Sequence, residues 1–386
     1  MSDAGRLSRG KSAVLGLVTA VVITIATLLL LEGSASLYLF SRDWLLARPP
    51  SVAVRPHTVH DTLLGWVNEP GYAKPDEYGP GIGLTFTAQG ARANGAAALG
   101  DASSRATVVC SGDSYTLGAG VADDRHWCGL LERLVPGIRT VNFGEAAYGL
   151  DQSWLRYRRD GVPLAPRVHV LAITESSLER SVDGSLDGWS KPYLTLESGK
   201  VSVRNVPLPA QDPDALRRVA ASRAVDELRV VQEVRRFRGY DRPAAAAAAA
   251  DERLPLFERA IDELAAADRA RGGTLMLVYL PTGRTARRVD LVERRQRLAA
   301  IAQQRGIPFI DLTPRLHALR ADSLDLTFIT RPGPTSPAGQ AGQYSRLGHE
   351  LIARAIAGEL ATLPALATSR GDGSVPPAAS GSTAAR

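Results

Sequence analysis

Five short apolar runs, residues 107–110, 140–143, 168–173, 274–280 and 308–312, do most to limit what this chain can fold into. Each is rich in Val, Ile, Leu or Thr, each is too short for a buried helix, and helical stretches separate them. Runs apolar on both faces that alternate with helices predict an α/β fold with a parallel sheet covered on both sides. With 386 residues there is room for one large domain, or for two.

The ends of the chain read differently. Residues 13–31 are uncharged and nearly all apolar, and the apolar character resumes over 35–40 after Glu32. About 20 such residues at 1.5 Å each cross the hydrocarbon core of a bilayer. Residues 13–40 therefore read as an uncleaved transmembrane anchor, with 1–12 cytoplasmic and the main domain extracytoplasmic. The rival reading is a cleaved signal peptide ending near Ser34-Ala35-Ser36, whose apolar stretch would be shorter, about 7–15 residues. Basic residues lie on both sides, Arg6, Arg9 and Lys11 before the span and Arg42, Arg48 and Arg55 after it, so their count scarcely orients it. A small N-terminal segment and a large C-terminal body make N-inside the simpler arrangement.

Residues 41–104, rich in Pro, Gly and Ala, read as an extracytoplasmic approach segment, 105–362 as the folded domain and 363–386 as a disordered tail. An insertion occupies 181–250. Within it, two β-rich runs around Ser198-Gly199-Lys200 predict a hairpin, and 214–238 an arginine-rich helix with a solvated face. The net charge of +6 is spread without an aromatic-interleaved basic cluster, which argues against nucleic acid. No metal-ligand spacing and no phosphate-binding loop occurs, so no metal or cofactor is implied.

The first run ends at Gly112-Asp113-Ser114, which presents a hydroxyl at the carboxyl edge of the sheet, where open α/β folds keep their sites. A serine becomes a nucleophile only with a base in hydrogen-bond reach and donors for the oxyanion it creates. Its own backbone N–H and the start of the following helix supply part of the second need. The two cysteines, Cys110 and Cys128, flank this serine; they either pair on the oxidising side of a membrane or remain buried thiols.

Cys110-Ser-Gly-Asp-Ser-Tyr-Thr-Leu-Gly-Ala-Gly-Val121 resembles the first block of the SGNH, or GDSL, hydrolases, and Val141-Asn-Phe-Gly-Glu-Ala-Ala-Tyr-Gly-Leu-Asp-Gln152 resembles the second. Residues 168–181 fall where the third block lies, 278–281 where a later strand ends, and Gly342-Gln-Tyr-Ser-Arg-Leu-Gly-His349 at the last block. The likeness covers about residues 58–362, and Asp61-Thr-Leu-Leu-Gly-Trp66 is similar to membrane-anchored members. It implies a flavodoxin-like three-layer fold and a serine esterase or acyl-transfer chemistry on ester-linked acyl groups, such as those of an envelope polysaccharide.

Carried onto this chain, the resemblance puts the nucleophile at Ser114 and the oxyanion donors at Ser114, Ala147 and Ser176. The family His falls on Gln343 and the family Asp on Ala341. Glutamine takes no proton at ordinary pH, and alanine orients no imidazole. Between Leu326 and Gly348 there is no His or Asp. Two histidines are candidates for a substitute base: His126, twelve residues after Ser114, which otherwise reads as a surface or structural residue, and His349, whose shared helix face with Ile352 and Ile356 reads rather as a packed helix-start residue. Loss of the base from a serine triad leaves only about 10³–10⁴-fold over water. The alternative is a non-catalytic descendant that keeps the cleft to bind a glycan or an envelope protein.

Overall fold

The computed structural model describes residues 9–45, 57–95, 105–186, 188–210, 212, 214, 218, 252–283, 285–286, 292–329 and 342–367. The chain divides into two compact units, Met1–Ala53 with Asp212–Arg242, and Val54–Gln211 with Pro243–Arg386. In the first, helix α1 (Arg9–Leu45) contains an apolar stretch, Ala13–Tyr38, of 26 residues. At 1.5 Å per residue that is about 39 Å, more than the ~30 Å hydrocarbon core, so by length and composition it can cross a membrane. The arginine-rich helix expected over 214–238 lies outside the described residues apart from Asp214 and Arg218.

The second unit is built on five parallel strands: β1 (Ala106–Ser111), β2 (Ile138–Asn142), β3 (Val168–Ile173), β4 (Thr274–Tyr279) and β5 (Phe309–Asp311). Their order across the sheet is β5-β4-β3-β1-β2, the flavodoxin-like order, with its switch between β1 and β3. β1 and β3 are buried along their whole length, whereas the edge strands β2 and β5 alternate buried and half-buried residues. This is the difference expected between strands covered on two faces and strands that meet solvent at the rim.

Helices α3 (Trp127–Leu134) and α8 (Arg346–Leu360) cover one face, where Trp127, Leu131, Ile352 and Ile356 join Val108, Val170 and Val278 in one apolar cluster. α4 (Leu150–Arg156) and α6 (Leu254–Arg269) pack together, with Trp154 Nε1 donating to Ala260 O at 3.1 Å. α6 buries Leu256, Phe257, Ala260, Ile261, Leu264 and Ala265, a single stripe of helical spacing. Between them come α2 (Ser114–Leu117) and α5 (Glu175–Glu179), and later α7 (Val292–Gln304).

Two boundaries differ from expectation. The approach segment is part of the folded unit: over 57–95 it buries Leu64, Trp66, Leu84 and Phe86, and it bonds to several of its parts, among them Gln152 Nε2 to Leu64 O at 2.8 Å and Leu208 N to Thr62 O at 2.7 Å. Trp66 Nε1 donates to Ala146 O at 3.0 Å, and Arg92 pairs with Asn142, covering the open edge of β2. The apolar side chains had to be buried, and no helical or strand period announced where. The tail also begins later than Leu363, because Leu363 and Leu366 sit in the core and Pro364–Ala367 is helical; residues 368–386 lie outside the described residues. The hairpin expected in the insertion forms between Tyr193–Glu197 and Lys200–Arg204.

Cys110 and Cys128 form a disulfide with Cα atoms 6.4 Å apart, joining β1 to α3 inside the apolar cluster. It closes a loop with a sequence separation of 18 that contains Ser114. Replacing both cysteines with alanine should lower unfolding free energy by about 3 kcal/mol, read from the denaturant midpoint of the detergent-solubilised chain. An unchanged midpoint would show that the bond constrains nothing.

Candidate functional site

Sheet order sets the site. The turns that carry Ser114, Ala147 and Ser176 leave the carboxyl ends of β1, β2 and β3, which are neighbours in the sheet. What joins the three turns is Asp113, 1% exposed. Its Oδ1 accepts from Tyr115 N at 3.0 Å, capping α2, while Oδ2 accepts from Thr174 Oγ1 at 2.7 Å and from Arg180 at 2.6 Å. Arg180 Nε donates in turn to Tyr148 O at 3.1 Å, in the turn after β2. Thr174 itself caps α5, accepting from Ser177 N at 3.0 Å.

The turn after β2 lies directly against α2. Asn142 Nδ2 donates to Thr116 O at 2.8 Å, and Glu145 N to Gly112 O at 3.1 Å. A Cβ on Gly144 would lie 2.2 Å from Leu117 N, so only glycine permits this approach. On the other side, the buried Arg92 guanidinium donates to Leu117 O at 2.8 Å and Gly118 O at 2.6 Å, and pairs with Asp123 at 3.3 Å. α2 has four residues. The favourable field at Ser114 therefore comes from individual N–H groups and not from a long helix dipole.

Gln343 meets Ser114: its Nε2 donates to Ser114 Oγ at 3.0 Å. Tyr115 OH donates to Gly342 O at 3.1 Å and fixes the same stretch. Gln343 Oε1 is buried and finds no donor among the described residues. Ala341 lies outside the described residues. Ala147 is half-buried with φ of 62°, in the left-handed region, and Ser176 is half-buried at the second position of α5.

The two histidines considered as substitute bases are both engaged at the start of α3, in the structural role that was their alternative reading. His126 is the N-cap of α3; its Nδ1 accepts from Gly129 N at 3.1 Å, and its Nε2 faces Ala93 O at 3.0 Å, so the proton sits on Nε2. His349 Nδ1 accepts from Trp127 N at 3.3 Å, again at the start of α3. Both imidazoles have spent their lone pair on a backbone N–H. Burial, with the Arg92 guanidinium as a second cause, holds His126 well below the usual range and takes His349 down to about 3. Sequence spacing gave no hint of the capping partner of His349, which lies 222 residues away. Among the described residues no group of three or more His, Cys, Asp or Glu could hold a metal ion.

No family model matches the chain, and no curated protein matches it. Solved structures similar to it include a member of the lipolytic protein G-D-S-L family from Veillonella parvula (15% identity, 67% of this chain and 99% of that one, TM-score 0.37). A lipase/acylhydrolase from Enterococcus faecalis gives 15% identity over 66% of this chain and 95% of that one, TM-score 0.37. An acetylxylan esterase from Geobacillus stearothermophilus gives 13%, 66%, 94% and 0.36. The fold assignment rests on the strand order itself.

Two predictions concern this framework. An L-residue in the left-handed region is strained, so Ala147→Gly should raise stability by about 0.5–1 kcal/mol in denaturant unfolding; a loss would mean the methyl packs usefully. The second is pH dependence. His349 is neutral when folded and takes up a proton when unfolded below about pH 6.5. Stability should therefore be level above pH 6.5 and fall below it, by about 1.4 kcal/mol per pH unit for this residue. His126 and the buried His169, also lowered by burial, add to the same slope. Between pH 6.5 and 5, His349→Gln should show a shallower fall in denaturant midpoint; an identical slope would sink the assignment.

Proposed function

We propose that this chain is a membrane-anchored, envelope-facing protein of SGNH type that uses the Ser114 site to bind an ester-bearing ligand, a glycan or an envelope protein, without turning it over. One observation carries this reading: the partner of Ser114 Oγ is the amide of Gln343, 3.0 Å away. An amide accepts no proton, so the hydroxyl stays a hydroxyl. The two histidines near in sequence have no free lone pair to replace it. The remaining oxyanion donors would leave about 10³–10⁴-fold over water, too little for a metabolic esterase.

The extracytoplasmic placement has two supports. An apolar helix long enough to cross a bilayer precedes the domain, and the Cys110–Cys128 disulfide suits an oxidising compartment. The hydrolase reading keeps one support of its own, a serine at a sheet edge beside turns that present backbone N–H groups.

Detergent-solubilised full-length protein assayed with a short-chain ester separates the two. The wild type and Ser114→Ala should both give background rates. A rate well above background that Ser114→Ala abolishes would overturn the binding reading. Gln343→His should gain hydrolysis, by about 10–10³-fold, because it places an imidazole where the amide now meets Ser114.

A further inference from the structure

The structure assigns a second ligand site at the edge of the sheet, beside β2. A cavity of about 650 Å³ opens there between residues 87–94, β2 and residues 159–164, and neither Ser114 nor Gln343 lines it. That size lies within the ~300–1,000 Å³ of small-molecule sites. The proposal does not depend on what happens at Ser114.

The lining specifies the ligand's chemistry. Three arginines of this region are matched by acids: Arg92 by Asp123 at 3.3 Å, Arg159 by Asp61 at 2.7 Å and Asp160 at 2.8 Å, and Arg156 by Asp160. Arg139 is the exception. Its Nε donates to Thr107 Oγ1 at 2.9 Å, and among the described residues its terminal nitrogens meet no carboxylate. A single unmatched guanidinium fork suits one carboxylate, held by two parallel bonds. A phosphate would call for several uncommitted cations, and of the three arginines in the lining Arg92 and Arg159 are already paired with acids.

The remaining wall mixes apolar surface with exposed hydrogen-bonding groups. The half-buried Val141 and Leu164 provide the first, and the exposed Gln89 amide, beside the half-buried Thr87 hydroxyl that accepts from Gln89 N and Ala91 N at 3.3 Å, the second. A pyranose ring, with an apolar C–H face and a rim of hydroxyls, fits that alternation better than an acyl chain does. Arg159 and Asp160 come from Tyr157–Gly161, a π-helical turn that continues α4. Such turns are rare and concentrate at functional sites. The ligand so defined is an acidic saccharide of one or two rings that carries a carboxylate, a uronic acid unit.

Calorimetric titration of the full-length protein in detergent tests this with digalacturonate as the probe. A neutral disaccharide, acetate and inorganic phosphate are the comparisons. Digalacturonate should bind at least tenfold more tightly than any of these, and Arg139→Gln and Leu164→Trp should each weaken it at least tenfold. Arg139 also bonds to Thr107, so Gln89→Ala, an exposed loop change, gives a third reading without risk to the fold, with an expected loss of severalfold. The proposal fails if digalacturonate does not bind the wild type, if phosphate or acetate binds as well, or if all three variants bind it unchanged.

Discussion

A buried carboxylate, Asp113, holds the site together. A charge taken out of water is stable only when fully hydrogen-bonded and paired. Asp113 meets that demand through three groups: the N–H of Tyr115 in its own turn, and the hydroxyl of Thr174 and the guanidinium of Arg180 from the two ends of α5. Because Arg180 also reaches Tyr148 O, the turns after β1, β2 and β3 are all referred to one residue. The middle residue of the Gly-Asp-Ser triplet is thus an architectural group, and the serine beside it inherits its position.

Much of the fold was legible in the sequence, for a local reason. Central strands of a parallel sheet are buried on both faces, so they stand out as continuous apolar runs, as 168–173 does, and helices must fill the intervals. The part that was not legible depends on contacts between residues distant in sequence. Nothing in the Pro- and Gly-rich stretch around Trp66 and Arg92 announces that it will cover the edge of β2, because its few strands are short and irregular. The bonds from Arg92 to Leu117 O and Gly118 O span 25 and 26 residues and have no local signature.

The candidate site divides in the same way. That Gln343 faces Ser114 was an expectation from the order of motifs, and the structure brings that side chain to Ser114 Oγ at 3.0 Å. A packed place for His349 could be read from its helix face, but the partners of the two histidines could not. Residue type marks them as bases, yet both are neutral acceptors at the start of α3, where the first N–H groups of a helix lack partners of their own. Arg92 strengthens that choice, since a nearby cation disfavours a second positive charge.

The direction of the bond between Gln343 and Ser114 has a further consequence. A serine oxygen that accepts from an amide keeps its own hydrogen free to give. In a working hydrolase that hydrogen is turned toward a base and the oxygen's lone pair toward the carbonyl carbon. Here no base is shown to take that hydrogen, and with one lone pair held by the amide the hydroxyl is left able to donate to an acceptor oxygen.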